Sequence, residues 1–168
     1  MADVSMEKIK ELRERTSAGV MDCKRALDQA DGDMEKAEKL LAEWGMASAE
    51  KKAHRVTAQG LVDSYIHAGG RIGVIVEVDC ETDFVARTDE FKGLAHNIAM
   101  QVAAQNPRFV SEEELPEDFE GLPTDSVLLL QPYIKDPSKS IRDLVNEAIG
   151  KTGENIQVKR FSRFEIGE

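Results

Sequence analysis

The spacing of apolar positions changes twice along this chain, and up to Gly45 it is helical. Ser5 offers an N-cap oxygen, and Met6, Ile9 and Leu12 follow on one face before Thr16-Ser17-Ala18-Gly19 interrupts. Val20, Cys23 and Leu27 form a second stripe, closed by Asp31-Gly32. Asp33 caps a third helix, with Glu35 in its first turn and Met34, Ala37, Leu41 and Trp44 on one face. Gly45 predicts its C-terminal stop. Three helices within residues 1–45 make a mini-domain near the lower size limit for independent folding.

Residues 46–59 (MASAEKKAHRVTAQ) sustain no apolar period and read as an inter-domain linker with room for some helix. The period then becomes two. Residues 61–67 predict one strand, and residues 71–79 a second with Ile72, Val74, Val76 and Val78 on one face. Gly69-Gly70 supplies the positive φ angles of a tight hairpin turn. Helical spacing returns behind Thr88, through Phe91, Leu94, Ala95, Ile98 and Val102, until Asn106-Pro107. Ser140 precedes another stripe, Ile141, Leu144, Val145, Ala148 and Ile149, closed near residues 150–153. β-branched and aromatic residues over 155–166 predict the third strand. The expected fold is α+β: a three-helix domain over 1–45, a linker over 46–59, and a 60–168 core with helices on one face of an antiparallel sheet.

Charge narrows the function classes. Lys and Arg total 22 against 32 Asp and Glu, a formal charge of −10. That balance argues against a nucleic-acid partner, whose phosphates demand a positive surface. No stretch approaches the roughly 18 apolar residues of a membrane span, and the opening MADVS resembles neither a signal nor a transit sequence. Cys23 and Cys80 are too few for a disulfide framework and lack the spacing of a zinc site. The expectation is a reduced, cytoplasmic protein without a membrane partner. Its acidity is concentrated: residues 111–134 hold seven carboxylates and no Lys or Arg, as a solvated loop or helix edge would.

Catalytic constellations do not emerge. There is neither a glycine-rich phosphate loop nor a Gly-x-Ser-x-Gly elbow. His54, His67 and His96 fall on the linker, a strand and a helix, and their spacing promises no convergence on a metal. Cys23 lies on an apolar stripe, as a small core residue would. One segment breaks the pattern. Residues 80–87 (CETDFVAR) join the second strand to the following helix and place Thr82, Asp83, Phe84 and Val85 at an element junction, where binding groups concentrate. Two readings stand there. Phe84 beside a carboxylate is an inserting anchor, or Phe84 folds back onto its own sheet while Thr82 caps a short helical turn.

EVDCETDFVAR, residues 77–87, resembles the second signature of the translation elongation factor Ts family. LRERTSAGVMDCKRAL, residues 12–27, resembles the first, within a ubiquitin-associated-like N-terminal domain. QPYIKDPSK from Gln131 and GENIQVKRFSRFEIGE from Gly153 resemble the family's C-terminal part. Asp79 stands where the family usually has Asn, and Ser17 where it has Gly. A helical insertion common in the family is replaced by the acidic stretch 112–125, so the chain resembles a short-form member.

The resemblance implies a guanine-nucleotide exchange factor for elongation factor Tu, with no bond chemistry and no cofactor of its own. It implies binding of the GDP-bound and nucleotide-free partner, with Thr82, Asp83, Phe84 and Val85 inserted beside the partner's magnesium and phosphate-binding loop. Phe84 would be the wedge, and Asp83 would perturb the polar network near the metal. In the N-terminal domain it implies docking through Arg13, Val20 and Met21, although Val20 also belongs to the predicted core stripe. The resemblance also implies a core of the dimerisation type, so a homodimer is a further expectation. A helical adaptor, with the sheet as scaffold only, is the alternative class.

Overall fold

The computed structural model describes residues 4–16 and 18–167. Ser17, within the predicted interruption, lies outside the described residues, as does the opening Met1-Ala2-Asp3. Helix α1 spans Met6–Thr16, α2 Val20–Gln29 and α3 Met34–Lys52. Ser5 Oγ accepts from Lys8 N at 3.3 Å, and Asp33 Oδ1 from Lys36 N at 3.0 Å, so both predicted caps form. Ile9, Leu12, Cys23, Ala26, Leu27, Ala30 and Ala37 make a small core, with Met34, Leu41 and Trp44 packed against it. Met6 and Val20, assigned to the stripes, are exposed instead. Each is the first residue of its helix, and the short bundle buries only the turns that follow.

The expected stop at Gly45 does not occur. Gly45 sits inside α3 and faces α7, which spans Ile141–Thr152. A Cβ at Gly45 would stand 3.7 Å from Asn146 O, and one at Gly150 would stand 3.8 Å from Gly45 Cα. Two glycines therefore mark a close helix crossing, not a terminus. The helix continues through residues 46–52, so half of the expected linker is helical, and Ala49 joins the main core.

That main core lies between the sheet and two helices. Strand β1, Gln59–Ile66, pairs antiparallel with β2, Ile72–Cys80, from Gln59 opposite Cys80 to Ile66 opposite Gly73. Gly69 and Gly70 turn between them at φ 90° and 68°. Helices α4, Asp83–Ala86, and α5, Asp89–Gln105, follow. The last strand, β5 at Ile156–Glu165, pairs with the other edge of β2, which is therefore central. Val74, Val76, Val78 and Cys80 point from β2 into the core. There they meet Phe91, Leu94, Ala95, Ile98, Ala99 and Val102 of α5, and Ile141, Val145, Ala148 and Ile149 of α7. The architecture is mixed, helices with antiparallel sheet, in the α+β class.

The segment after α5 holds structure that spacing alone did not predict. A 3-10 turn at Glu112–Glu114, helix α6 at Pro123–Ser126 and a second 3-10 turn at Leu128–Leu130 lead into a small hairpin, β3 Pro132–Tyr133 and β4 Asp136–Ser140. Buried Gln101 holds it: its Nε2 donates to Gln131 Oε1 at 3.3 Å and Pro132 O at 3.1 Å, and its Oε1 accepts from Ile134 N at 2.9 Å. The seven carboxylates of 111–134 are all exposed, as their solvated reading requires. Ser140 then opens α7 with a capping box, Gly153 ends it at φ 77°, and β5 runs Ile156–Glu165. Among the described residues no helix is long and apolar enough to cross a membrane.

Candidate functional site

Between the end of β2 and the start of α5 the chain must leave the sheet and turn onto its face. Cys80 is the last buried side chain of β2, and its thiol donates to Thr82 O at 3.1 Å. Thr82 is extended, at φ −127° and ψ 153°, and its Oγ1 accepts from Val85 N at 3.4 Å as the N-cap of α4. Successive helical residues point about 100° apart. With Val85 and Ala86 turned into the core, Asp83 and Phe84 must face out. Val85 is 5% exposed and Phe84 79%. Thr88 then donates from Oγ1 to Val85 O at 2.7 Å while accepting from Phe91 N at 3.2 Å, so a second cap begins where the first turn ends.

The second reading of residues 80–87 holds in one half only. Thr82 does cap a short turn, but Phe84 does not fold back onto the sheet. It projects from a turn rooted by Val85 and clamped at both ends. Asp83 pairs with the Arg87 guanidinium at 2.8 Å, one turn along and also exposed. The surface offered is an apolar ring beside a carboxylate–guanidinium pair.

Supporting contacts come from distant sequence. Glu154 accepts from Thr82 N at 3.0 Å and from Thr82 Oγ1 at 2.6 Å. Glu81 Oε1 accepts from Asn155 N at 2.7 Å and from Arg55 Nη1 at 3.4 Å, and the Asn155 amide, ahead of Arg55, holds the Glu81 carboxyl below its usual range. Asn155 is buried and donates from Nδ2 to Ala53 O at 3.3 Å and Arg55 O at 2.9 Å. Sequence reasoning missed Glu81, Glu154 and Asn155. Only their position next to residues 82–85 and after the helix-ending Gly153 hinted at them.

Arg13 is exposed on α1, and Val20 (44%) and Met21 (74%) are exposed on the first turn of α2. These three belong to elements of the small core, whereas residues 82–85 border the large one. The structure therefore presents two separate groups, with α3 contributing to both cores.

Burial pushes both thiols up, Cys23 and Cys80 alike, so each stays protonated and poorly nucleophilic. His67 Nδ1 lies 3.1 Å from the Tyr65 hydroxyl, and His96 Nδ1 3.2 Å from Asp63 Oδ2. The first pair is local, the second bridges α5 and β1, and His54 is exposed in the turn after α3.

A family model described as "Elongation factor TS" matches residues 7–122, which include α1 from its second residue, α2 and the Thr82–Val85 turn. The chain is 51% identical to an "Elongation factor Ts" from Thermoanaerobacter sp. (strain X514), over 98% of this chain and 96% of that protein. It is 48% identical to the namesake from Thermotoga neapolitana, over 99% and 98% respectively. The first alignment spans 195 positions and the chain has 168 residues, so that relative carries residues without counterpart here. A family match across both signature regions and full-length relatives near half identity lead to one assignment: this chain belongs to the elongation factor Ts family, translation elongation factors of protein biosynthesis that act in nucleotide exchange and not as bond-making enzymes.

Proposed function

We propose that this chain binds GDP-bound elongation factor Tu in the cytoplasm and promotes GDP release by inserting Phe84 beside the partner's magnesium and phosphate-binding loop. The observation that carries the reading is a phenylalanine 79% exposed on a turn whose next residue is buried. Burying such a side chain is worth about 1.5–3 kcal/mol, and here that gain is reserved for a partner. Exchange follows by linkage: a protein that binds the nucleotide-free state more tightly weakens nucleotide binding by the same factor. Phe84 acts as the wedge, and Asp83, held by Arg87, faces the metal's polar network. Thr82 shapes the turn and Val85 roots it. The magnesium is the partner's, and the formal charge of −10 favours a protein partner over a nucleic acid.

Affinity comes in this reading from the helical segment 1–45, a ubiquitin-associated-like domain that docks on the partner through Arg13, Val20 and Met21. The exposure of Val20 and Met21 favours docking over packing for both. The test is release of a fluorescent GDP analogue from elongation factor Tu with the chain present in catalytic amounts. Acceleration by the native chain and a severe loss in Phe84→Ala, with an unchanged melting curve, are expected. Native-like exchange in that variant would refute the wedge role.

A separate observation favours a homodimer. On the sheet face away from α5 and α7, Val62, Ile66, Ile75 and Phe164 are exposed. Ile66 and Phe164 both stand opposite Gly73, so the three strands present a continuous apolar row.

A further inference from the structure

Glu154 lies between the end of α7 and the start of β5, where neither element uses its side chain. Cys80 opposite Ile156 is the last pair of the β2–β5 ladder. Beyond it the two strands diverge, and carboxylates replace the missing carbonyl partners. Glu81 takes the N–H of Asn155 at 2.7 Å, and Glu154 takes the N–H of Thr82 at 3.0 Å. The exchange is reciprocal, side chain to opposite backbone, and it extends the ladder into the segment that bears Phe84.

Glu154 does one thing more. Its Oε1 accepts the Thr82 hydroxyl proton at 2.6 Å, a charge-assisted bond. A hydroxyl has one proton and two lone pairs. Committing the proton to Glu154 turns a lone pair toward Val85 N, the cap bond of α4. A turn of four residues has little stability of its own, and α4 adds only a few backbone bonds, among them Ala86 N to Thr82 O at 3.3 Å and Arg87 N to Asp83 O at 3.2 Å. Two hydrogen bonds from one carboxylate to one residue fix both its place and its orientation, and the residue so fixed starts the turn two positions before Phe84.

We infer that Glu154 is the positioning residue of the wedge: it holds Thr82 in its capping geometry and so aims Phe84. This rests on the wedge reading above. The role is organisational, and it predicts an effect on the maximal rate of exchange while docking through the helical segment is preserved.

The experiment measures fluorescent GDP release from elongation factor Tu across a range of chain concentrations for Glu154→Ala, Glu154→Gln, Thr82→Val, the double variant Thr82→Val/Glu154→Ala and Phe84→Ala. Amide hydrogen exchange of Thr82 and Val85 is followed in the free chain. Glu154→Ala should lose about tenfold in maximal rate, the equivalent of roughly one net hydrogen bond, with the half-saturating concentration nearly unchanged and faster exchange at both amides. Glu154→Gln should recover most of the rate, its oxygen accepting from Thr82 N and its amide donating to Thr82 Oγ1. The double variant should be no slower than the slower single one. Full rate in Glu154→Ala while Phe84→Ala is slow overturns the positioning role and leaves the wedge standing. So does a loss in Glu154→Ala that Glu154→Gln does not restore. Full rate in Phe84→Ala overturns the wedge, and this inference with it.

Discussion

Asp79 shows how a single position can be at odds with its surroundings. It lies on β2 opposite Gly60 and Gln157, half-buried, on the same strand face as Glu77. Burial first, and then the Glu77 carboxylate, raise its pKa above the ordinary aspartate range. A carboxyl raised in the folded state favours the fold when protonated, and that advantage is lost as pH rises through the folded value. At neutral pH the charge therefore works against folding. Asp79→Asn, the residue that the family resemblance puts here, should raise the denaturation midpoint at neutral pH. The gain should shrink on acidification toward the ordinary aspartate pKa. Urea denaturation of the two chains at several pH values checks this, and an equal difference at every pH would exclude the electrostatic cause. The residue types of segment 82–85 were legible in the sequence, but their directions were not. Phe84 and Phe91 are the same residue seven positions apart, one exposed and the other fully buried. What separates them is the seating of Val85 and Ala86 in the core. The anchor on Thr82 was less legible still, because Glu154 is 72 positions away.

Helices carried the clearest local signals. Asp33, Thr88 and Ser140 each sit before an apolar period, and each accepts from the backbone as an N-cap should. Gly45 misled because a glycine at helical spacing serves equally as a stop or as a place of close approach, and only the presence of α7 decides between them. A consequence is testable. Gly45 has a helical neighbourhood, and an added Cβ would meet Asn146 O at an ordinary contact distance of 3.7 Å. Gly45→Ala should then stabilise the chain by about 0.5–1 kcal/mol, the usual gain for alanine over glycine inside a helix. Thermal or urea unfolding measures it, and destabilisation would mean that the crossing tolerates no methyl group. The β3–β4 hairpin was illegible for another reason. Its strands are two and five residues long and contain Pro132 and Pro137, residues that argue against a strand. Gln101, some thirty positions upstream, supplies the partners.

At the scale of the molecule, the helices cover one face of the sheet and leave the other open, with Ile66, Gly73, Phe164 and Ile75 apolar toward the hairpin end and the Glu77–Arg160 pair and Asp79 toward the other. If that bare face pairs two chains, Phe164→Glu should place a charge within the seam and give a monomer by light scattering, with the native chain a dimer. A native chain that remains monomeric at high concentration would remove the homodimer from the proposal. The acidic residues of 111–134 are not on these strands, so they do not oppose such pairing directly. The two cores also share a member. α3 gives Ala37 to the small core and Ala49 to the large one. Its 19 residues make a rod about 28 Å long at 1.5 Å per residue, and beyond its end the carbonyls of Ala53 and Arg55 are tied to Asn155. Two modules on a flexible tether would have to search for their second contact after making the first. Under the proposed docking, the first contact sets the bearing of the second: if Arg13 and Met21 seat on the partner, the direction from which Phe84 arrives is already determined.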